Sequence, residues 1–149
     1  MPTSPARIFS DEFRHALDNK NRLTIPARWR QGESDEFFII PHRSNDYLTV
    51  MPPEEFQQVS ETVATKAGVS LQKQQAFIRD FYRRAKNVWS DRQGRLLLAE
   101  EHCKLLQLKG EVVLVGSHTR FEIWHPGKWA EFQKNNAETY NEVAELVGL

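Results

Sequence analysis

The chain states one plan twice, in a single register 73 residues apart. Asp18-Asn19-Lys20-Asn21-Arg22-Leu23 returns as Asp91-Arg92-Gln93-Gly94-Arg95-Leu96. The same spacing lays the segment from Tyr47 to Phe56 onto the segment from Arg120 to Trp129, where the apolar positions, one proline and a closing aromatic recur. Two blocks matched in one register point to a duplicated small unit, and duplication predicts a pseudo-two-fold module. A module that presents two copies of one basic turn suits the repeating phosphates of a duplex.

Composition narrows the classes that such a unit can belong to. Of the 149 residues, 40% are hydrophobic and 11% aromatic, enough for two small halves to share a core, while 27% charged residues suit a solvated surface. Disordered and collagen-like classes are excluded. The chain has no long apolar run, and Met1 to Arg7 lacks the apolar stretch of a secretory signal, so the expected location is cytoplasmic and no membrane partner is expected. The single cysteine, Cys103, forms no internal disulfide, which suits a reducing compartment.

Reactive side chains do not gather into a catalytic pattern. His15, His42, His102, His118 and His125 are scattered, with no pair at metal-ligand spacing, and no glycine-rich phosphate loop occurs. His102 adjoins Cys103, but neighbours on a helix point about 100° apart, so a buried structural cysteine is the expectation. No enzyme activity, metal, cofactor or small-molecule ligand is expected.

Net charge is zero, yet the charges are segregated. Residues 1–30 hold six basic side chains against three acids, a net +3, and residues 73–95 hold seven against two, a net +5. Residues 31–63 carry only Arg43 against seven acids, so one face is expected to be positive and another negative.

Each half reads in the same order of elements. Phe13, His15 and Leu17 alternate with polar positions, as do Leu23 and Ile25 after the turn, which gives two half-buried strands. Pro26 ends the second strand and opens one helical turn in which Arg28 and Arg30 flank Trp29. Phe37 to Ile40 and Tyr47 to Val50 form a hairpin across Arg43-Ser44-Asn45-Asp46, and Val112 to Val115 and Phe121 to Trp124 form its counterpart. Helices follow Pro53 and Pro126. Trp129, Phe132, Asn136, Tyr140, Val143 and Val147 make one stripe, expected to face the core. Leu71, Gln75, Ile78, Tyr82, Ala85 and Trp89 make another, predicting a helix after the break at Gly68. The division that results is an extension over 1–10, expected to be disordered, a first repeat over 11–66, a connecting helix over 67–87 and a second repeat with its C-terminal helix over 88–149.

The Asp-x-x-Gly-Arg turn has a clear local chemistry. Asp18 and Asp91 can accept hydrogen bonds from the amides that follow, while Gly94 and Asn21 fill the position that needs a positive φ, asparagine being the side chain that best tolerates it. Read structurally, the turn's arginine buttresses its own aspartate. Read functionally, it reaches a polyanion.

With Asp18 to Arg30, Asp91 to Leu98, and Val112-Val113-Leu114-Val115-Gly116 leading to Phe121-Glu122-Ile123-Trp124, the chain resembles the MraZ family over roughly residues 10–130. That resemblance implies an α+β fold of two AbrB-like swapped-hairpin β-barrel halves with flanking amphipathic helices. It implies a nucleoid-associated transcriptional regulator of the division and cell-wall gene cluster that binds double-stranded DNA at direct repeats upstream of its own operon. It also implies a ring-shaped homo-oligomer, an octamer or similar. Carried over by position, Lys20, Arg22, Arg28 and Arg30 are the expected DNA contacts, with Arg22 foremost because bidentate arginine on guanine is the commonest specific major-groove contact. Arg14 and Arg7 are expected to add backbone contacts, and Arg95 is the second copy's matching arginine. Gln93 and the acids Glu100 and Glu101 replace basic or neutral positions of the first copy, so the second copy is expected to be mainly structural. The alternative is a protein-interaction or antitoxin-like module of the swapped-hairpin class without a promoter-regulating role.

Overall fold

The computed structural model describes residues 7–149, and its elements follow the repeat. The first half runs β1 (Glu12–Ala16), β2 (Arg22–Thr24), a 3₁₀ turn (Ala27–Trp29), β3 (Glu36–Pro41), β4 (Tyr47–Met51) and α1 (Pro53–Thr65). After α2 (Leu71–Arg84), the second half runs β5 (Lys86–Trp89), β6 (Arg95–Leu97), α3 (Glu100–Leu106), β7 (Glu111–Ser117), β8 (Arg120–Trp124) and α4 (Pro126–Leu146).

Strands cross between the halves. A six-stranded antiparallel sheet has the order β1-β7-β8-β4-β3-β5, so the first half's opening strand lies on the second half's hairpin and the second half's opening strand lies on the first. The registers are mirror copies: His15 faces Val112 as Val88 faces Phe37. The offset is 73 at β4 and β8 but 75 at β3 and β7, because Ile39 facing Val50 corresponds to Leu114 facing Ile123. Two residues added ahead of β7 are balanced by a hairpin turn two residues shorter. The pseudo-two-fold fold is therefore α+β and strand-exchanged.

One core serves both halves. The inner faces of the two hairpins supply Phe37, Ile39, Leu48 and Val50 from one side and Val112, Leu114, Phe121 and Ile123 from the other, all essentially inaccessible to solvent. A smaller outer cluster of Ile40, Met51 and Phe56 is covered by Phe81 and Tyr82 of α2.

Four expectations are corrected. Residues 1–6 lie outside the described residues, but Arg7 and Phe9, read as part of a disordered extension, are packed. Phe9 is 2% exposed, exchanges backbone hydrogen bonds with His118 and sits in the aromatic core. Arg7, expected on the DNA backbone, instead lies 5.0 Å from the centre of the Phe9 ring and 5.1 Å from that of Phe37, donates to the Trp29 carbonyl and pairs with Asp35 at 3.7 Å. It is spent inside the protein. The apolar stripe read from Leu71 to Trp89 overruns the helix, which ends at Arg84 because ladder pairing of Val88 with Phe37 draws Lys86–Trp89 into the sheet. Finally, the α4 stripe does not face the core: Tyr140 is 71% exposed, and no residue of α4 is fully buried.

Gly94 has a φ of +79°, and a β-carbon added there would stand 2.6 Å from the Arg30 side chain. Its counterpart Asn21 has a φ of +59°. At the 73-residue offset Arg30 corresponds to Cys103, a smaller side chain than the one that crowds Gly94. Gly94→Ala is therefore expected to destabilise the protein by roughly 1 kcal/mol or more through left-handed strain and displacement of Arg30. Asn21→Gly should be close to neutral. Chemical denaturation of the two variants checks this, and equal losses would contradict it.

Candidate nucleic-acid interface

The two basic turns are built alike, atom for atom. Asp18 Oδ1 accepts from the backbone amides of Lys20 at 2.9 Å and Arg22 at 2.8 Å, and Oδ2 accepts from Arg22 Nε at 2.8 Å. In the second copy Asp91 Oδ1 accepts from the amides of Gln93 and Arg95, both at 2.9 Å, and Oδ2 accepts from Arg95 Nε at 2.7 Å. The Arg22 and Arg95 amides and side chains hold the Asp18 and Asp91 carboxyls below the usual carboxylate range. Each arginine is thus tied to its own aspartate, as a purely structural turn requires. The tie uses Nε alone, and both arginine side chains stay 31% exposed.

Strands β2 and β6 place these turns relative to one another. They form a separate antiparallel ribbon in which Arg22 faces Leu97, Leu23 faces Leu96 and Thr24 faces Arg95. Leu23 and Leu96 point into the core, so Arg22, Thr24, Arg95 and Leu97 share the outer face. Arg22 and Arg95 therefore occupy diagonal corners, two residue steps or about 7 Å apart along the ribbon. Two backbone bonds lock the turns onto the ribbon: Ile25 N donates to Gly94 O and Leu98 N to Asn21 O, each at 2.8 Å. A two-stranded ribbon fits a major groove, and a guanidinium held through Nε still has two terminal nitrogens with which to meet a paired acceptor such as guanine O6 and N7.

The other expected contacts are dispersed. Lys20 is exposed at the tip of the first turn, beside Arg22. Arg28 lies exposed on the 3₁₀ turn, paired with Asp11 at 2.9 Å, and Arg14 on β1 pairs with Glu111 at 2.9 Å. Arg30 crosses to the other copy's turn, where it lies against Gly94 and reaches the Gln93 carbonyl at 3.4 Å. It therefore adds positive charge beside Arg95. Sequence reasoning missed two members of this surface. Exposed Arg92 takes the place of Asn19 in the second turn, a signal the 73-residue offset carried. Leu97, 57% exposed on the ribbon face, became identifiable only once its partner Arg22 was known. Glu100 and Glu101 are engaged by Lys104 at 3.3 Å and Lys86 at 2.5 Å.

The reactive-residue rival finds no support in the geometry. His102 and Cys103 are both buried on α3, and burial pushes the thiol pKa up, opposite to an activated nucleophile. Among the described residues no cluster of three or more histidine, cysteine or carboxylate side chains is arranged to hold a metal ion. Among the same residues no helix is long and apolar enough to cross a membrane.

A duplicated, strand-exchanged α+β fold carrying one basic turn per copy defines the class of tandem swapped-hairpin proteins. The family model described as "MraZ protein, putative antitoxin-like" matches residues 8–80 and again 81–147, one match to each half. Curated relatives named "Transcriptional regulator MraZ" include that of Symbiobacterium thermophilum, 37% identical over 93% of this chain and 99% of its own length. Those of Carboxydothermus hydrogenoformans and Clostridium tetani are 35% and 33% identical, each over 94% of this chain and 96% of their own lengths. The chain belongs to the MraZ family.

Proposed function

We propose that this protein is a sequence-specific DNA-binding transcriptional regulator that inserts the outer face of the β2–β6 ribbon into the major groove. The observation that carries the reading is the pair of clamped arginines, Arg22 and Arg95, held at diagonal corners of one outward face. Arg22 reads a guanine, Lys20 and Arg92 take phosphates, and Arg95 with Arg30 forms the matching contact at the other end. The target in this reading is a set of direct repeats in the promoter of its own operon, the division and cell-wall gene cluster. A net-neutral protomer with few cations binds one repeat weakly, so the functional species is a ring whose identical tips engage several repeats at once.

Mobility-shift titration against DNA upstream of the protein's own gene, across a salt series, tests this. The logarithm of the binding constant should fall linearly with the logarithm of salt, with a slope of about −0.9 for each phosphate neutralised. A tandem array should bind far more tightly than a single repeat. Equal affinity for unrelated DNA of the same length, or binding indifferent to salt, would refute it.

A further inference from the structure

The two ends of the β2–β6 ribbon are not alike. The 73-residue offset carries Arg22-Leu23-Thr24 onto Arg95-Leu96-Leu97, so the pseudo-dyad runs through the facing pair Leu23 and Leu96 and exchanges one end of the ribbon for the other. At one end Arg95 faces Thr24; at the other Arg22 faces Leu97. Of these four outward side chains Leu97 alone has no hydrogen-bonding group, and it is 57% exposed.

The backbone fixes how close these partners stand. Leu98 N donates to Asn21 O and Ile25 N to Gly94 O, just outside the two end pairs. Hydrogen-bonded and non-hydrogen-bonded pairs alternate along an antiparallel ladder, so Arg22 with Leu97 and Arg95 with Thr24 are of the second kind, with Cα atoms about 4.5 Å apart and side chains abreast. A short apolar group therefore stands next to a long cationic one whose Nε is clamped by Asp18.

An exposed leucine by itself carries no message. This one shares its face with Arg22 and Arg95, and Arg30 lies against Gly94 at the far end. A face so charged receives a polyanion, and there the leucine gains nothing from phosphates or from polar base edges. The major groove presents donors, acceptors and one apolar group, the 5-methyl of thymine.

We infer that Leu97 reads that methyl. The Arg22 end of the ribbon takes a guanine and a thymine next to each other, whereas the Arg95 end, with the Thr24 hydroxyl in the leucine's place, makes no such demand. The inference rests on the ribbon reading above and adds a second base to it. It also gives the ribbon a direction, because Lys20 at the Arg22 end answers to Gln93 at the other and breaks the dyad in the same sense. A ribbon with equivalent ends meets a duplex equally well either way round and suits an inverted repeat. One with unlike ends is held in a single orientation, and copies held so read direct repeats.

The test uses the tandem DNA upstream of the protein's own gene, prepared once with thymine and once with uracil, which pairs identically and lacks the methyl. Burying one methyl-sized group is worth about fourfold in affinity. Wild type should bind the uracil array at least about fourfold more weakly, and the loss should grow with each engaged tip. Leu97→Ala should weaken binding to the thymine array by a similar factor and shrink the uracil penalty about fourfold. Its salt slope should match wild type, since a methyl contact releases no counterion, and its circular dichroism melt should be unchanged because the side chain is exposed. Thr24→Ala should keep the full uracil penalty. A wild type indifferent to uracil, or an undiminished penalty in Leu97→Ala, would overturn the inference while specific binding to the thymine array leaves the ribbon reading standing. No specific shift on the thymine array would overturn both.

Discussion

Arg22→Ala abolishes the specific mobility shift on the operator array and leaves the melting curve nearly unchanged; this is the expected result with the largest functional effect. One bidentate arginine–guanine contact is worth about 1–3 kcal/mol of discrimination, roughly fivefold to more than a hundredfold per site. In an assembly that grips several repeats the loss recurs at every engaged tip and compounds across the array. The fold survives because the turn does not depend on the guanidinium. Asp18 Oδ1 still accepts the amides at positions 20 and 22, Asn21 N still donates to Asp18 O at 3.1 Å, and Leu23 still fills the core. Arg95→Ala is the matched control. The exact likeness of the two clamps predicts a comparable loss, whereas a reading in which only the first copy touches DNA predicts none. Wild-type affinity in Arg22→Ala would remove the ribbon from the interface altogether.

Phe121→Ala should have the largest effect on stability. Phe121 is fully buried, and its ring lies 5.3 Å from Phe9, 4.8 Å from Trp29 and 5.5 Å from Phe37. All three neighbours come from the first half, so the cavity would open on the seam that joins the copies. Large-to-small changes of this kind cost about 3–5 kcal/mol, against a total stability of only about 5–15 kcal/mol. The melting temperature should fall by roughly 10 °C or more. Calorimetry should show one transition in both proteins, because the main core is shared by both halves. Two separate transitions in the wild type would contradict the shared core.

How far the sequence showed all this depended on the range of the physics involved. The turns were legible because their chemistry is local: an aspartate, a position for positive φ and an arginine within five residues. Hairpins and the 3₁₀ turn were legible for the same reason. A period of two says that Phe13 and Val88 are half-buried but is silent on which strand they face, and the strand exchange came only through resemblance. The overrun of α2 into Lys86–Trp89 arose because a helical stripe and an alternating strand share positions until a ladder partner decides between them. Amphipathicity in α4 revealed a stripe, and default reasoning assigned it to the chain's own core, whereas Tyr140, Val143 and Val147 stand exposed. Arg7 and Phe9 were misjudged because the neighbouring prolines suggested a tail, whereas an aromatic slot and Asp35 were waiting for them. Among the candidate contacts, Arg22 and Lys20 follow from the turn, but the reach of Arg30 across to Gly94 is a tertiary fact.

The exchange of opening strands also governs how this protein must be made. Phe13 meets Leu114 only after about a hundred further residues have left the ribosome, and β3 has an open flank until β5 emerges. A nascent first half therefore has no finished native state to fall into. Its exposed strand edges await the second half, and synthesis that stalls midway leaves a fragment prone to pair with its neighbours on the polysome.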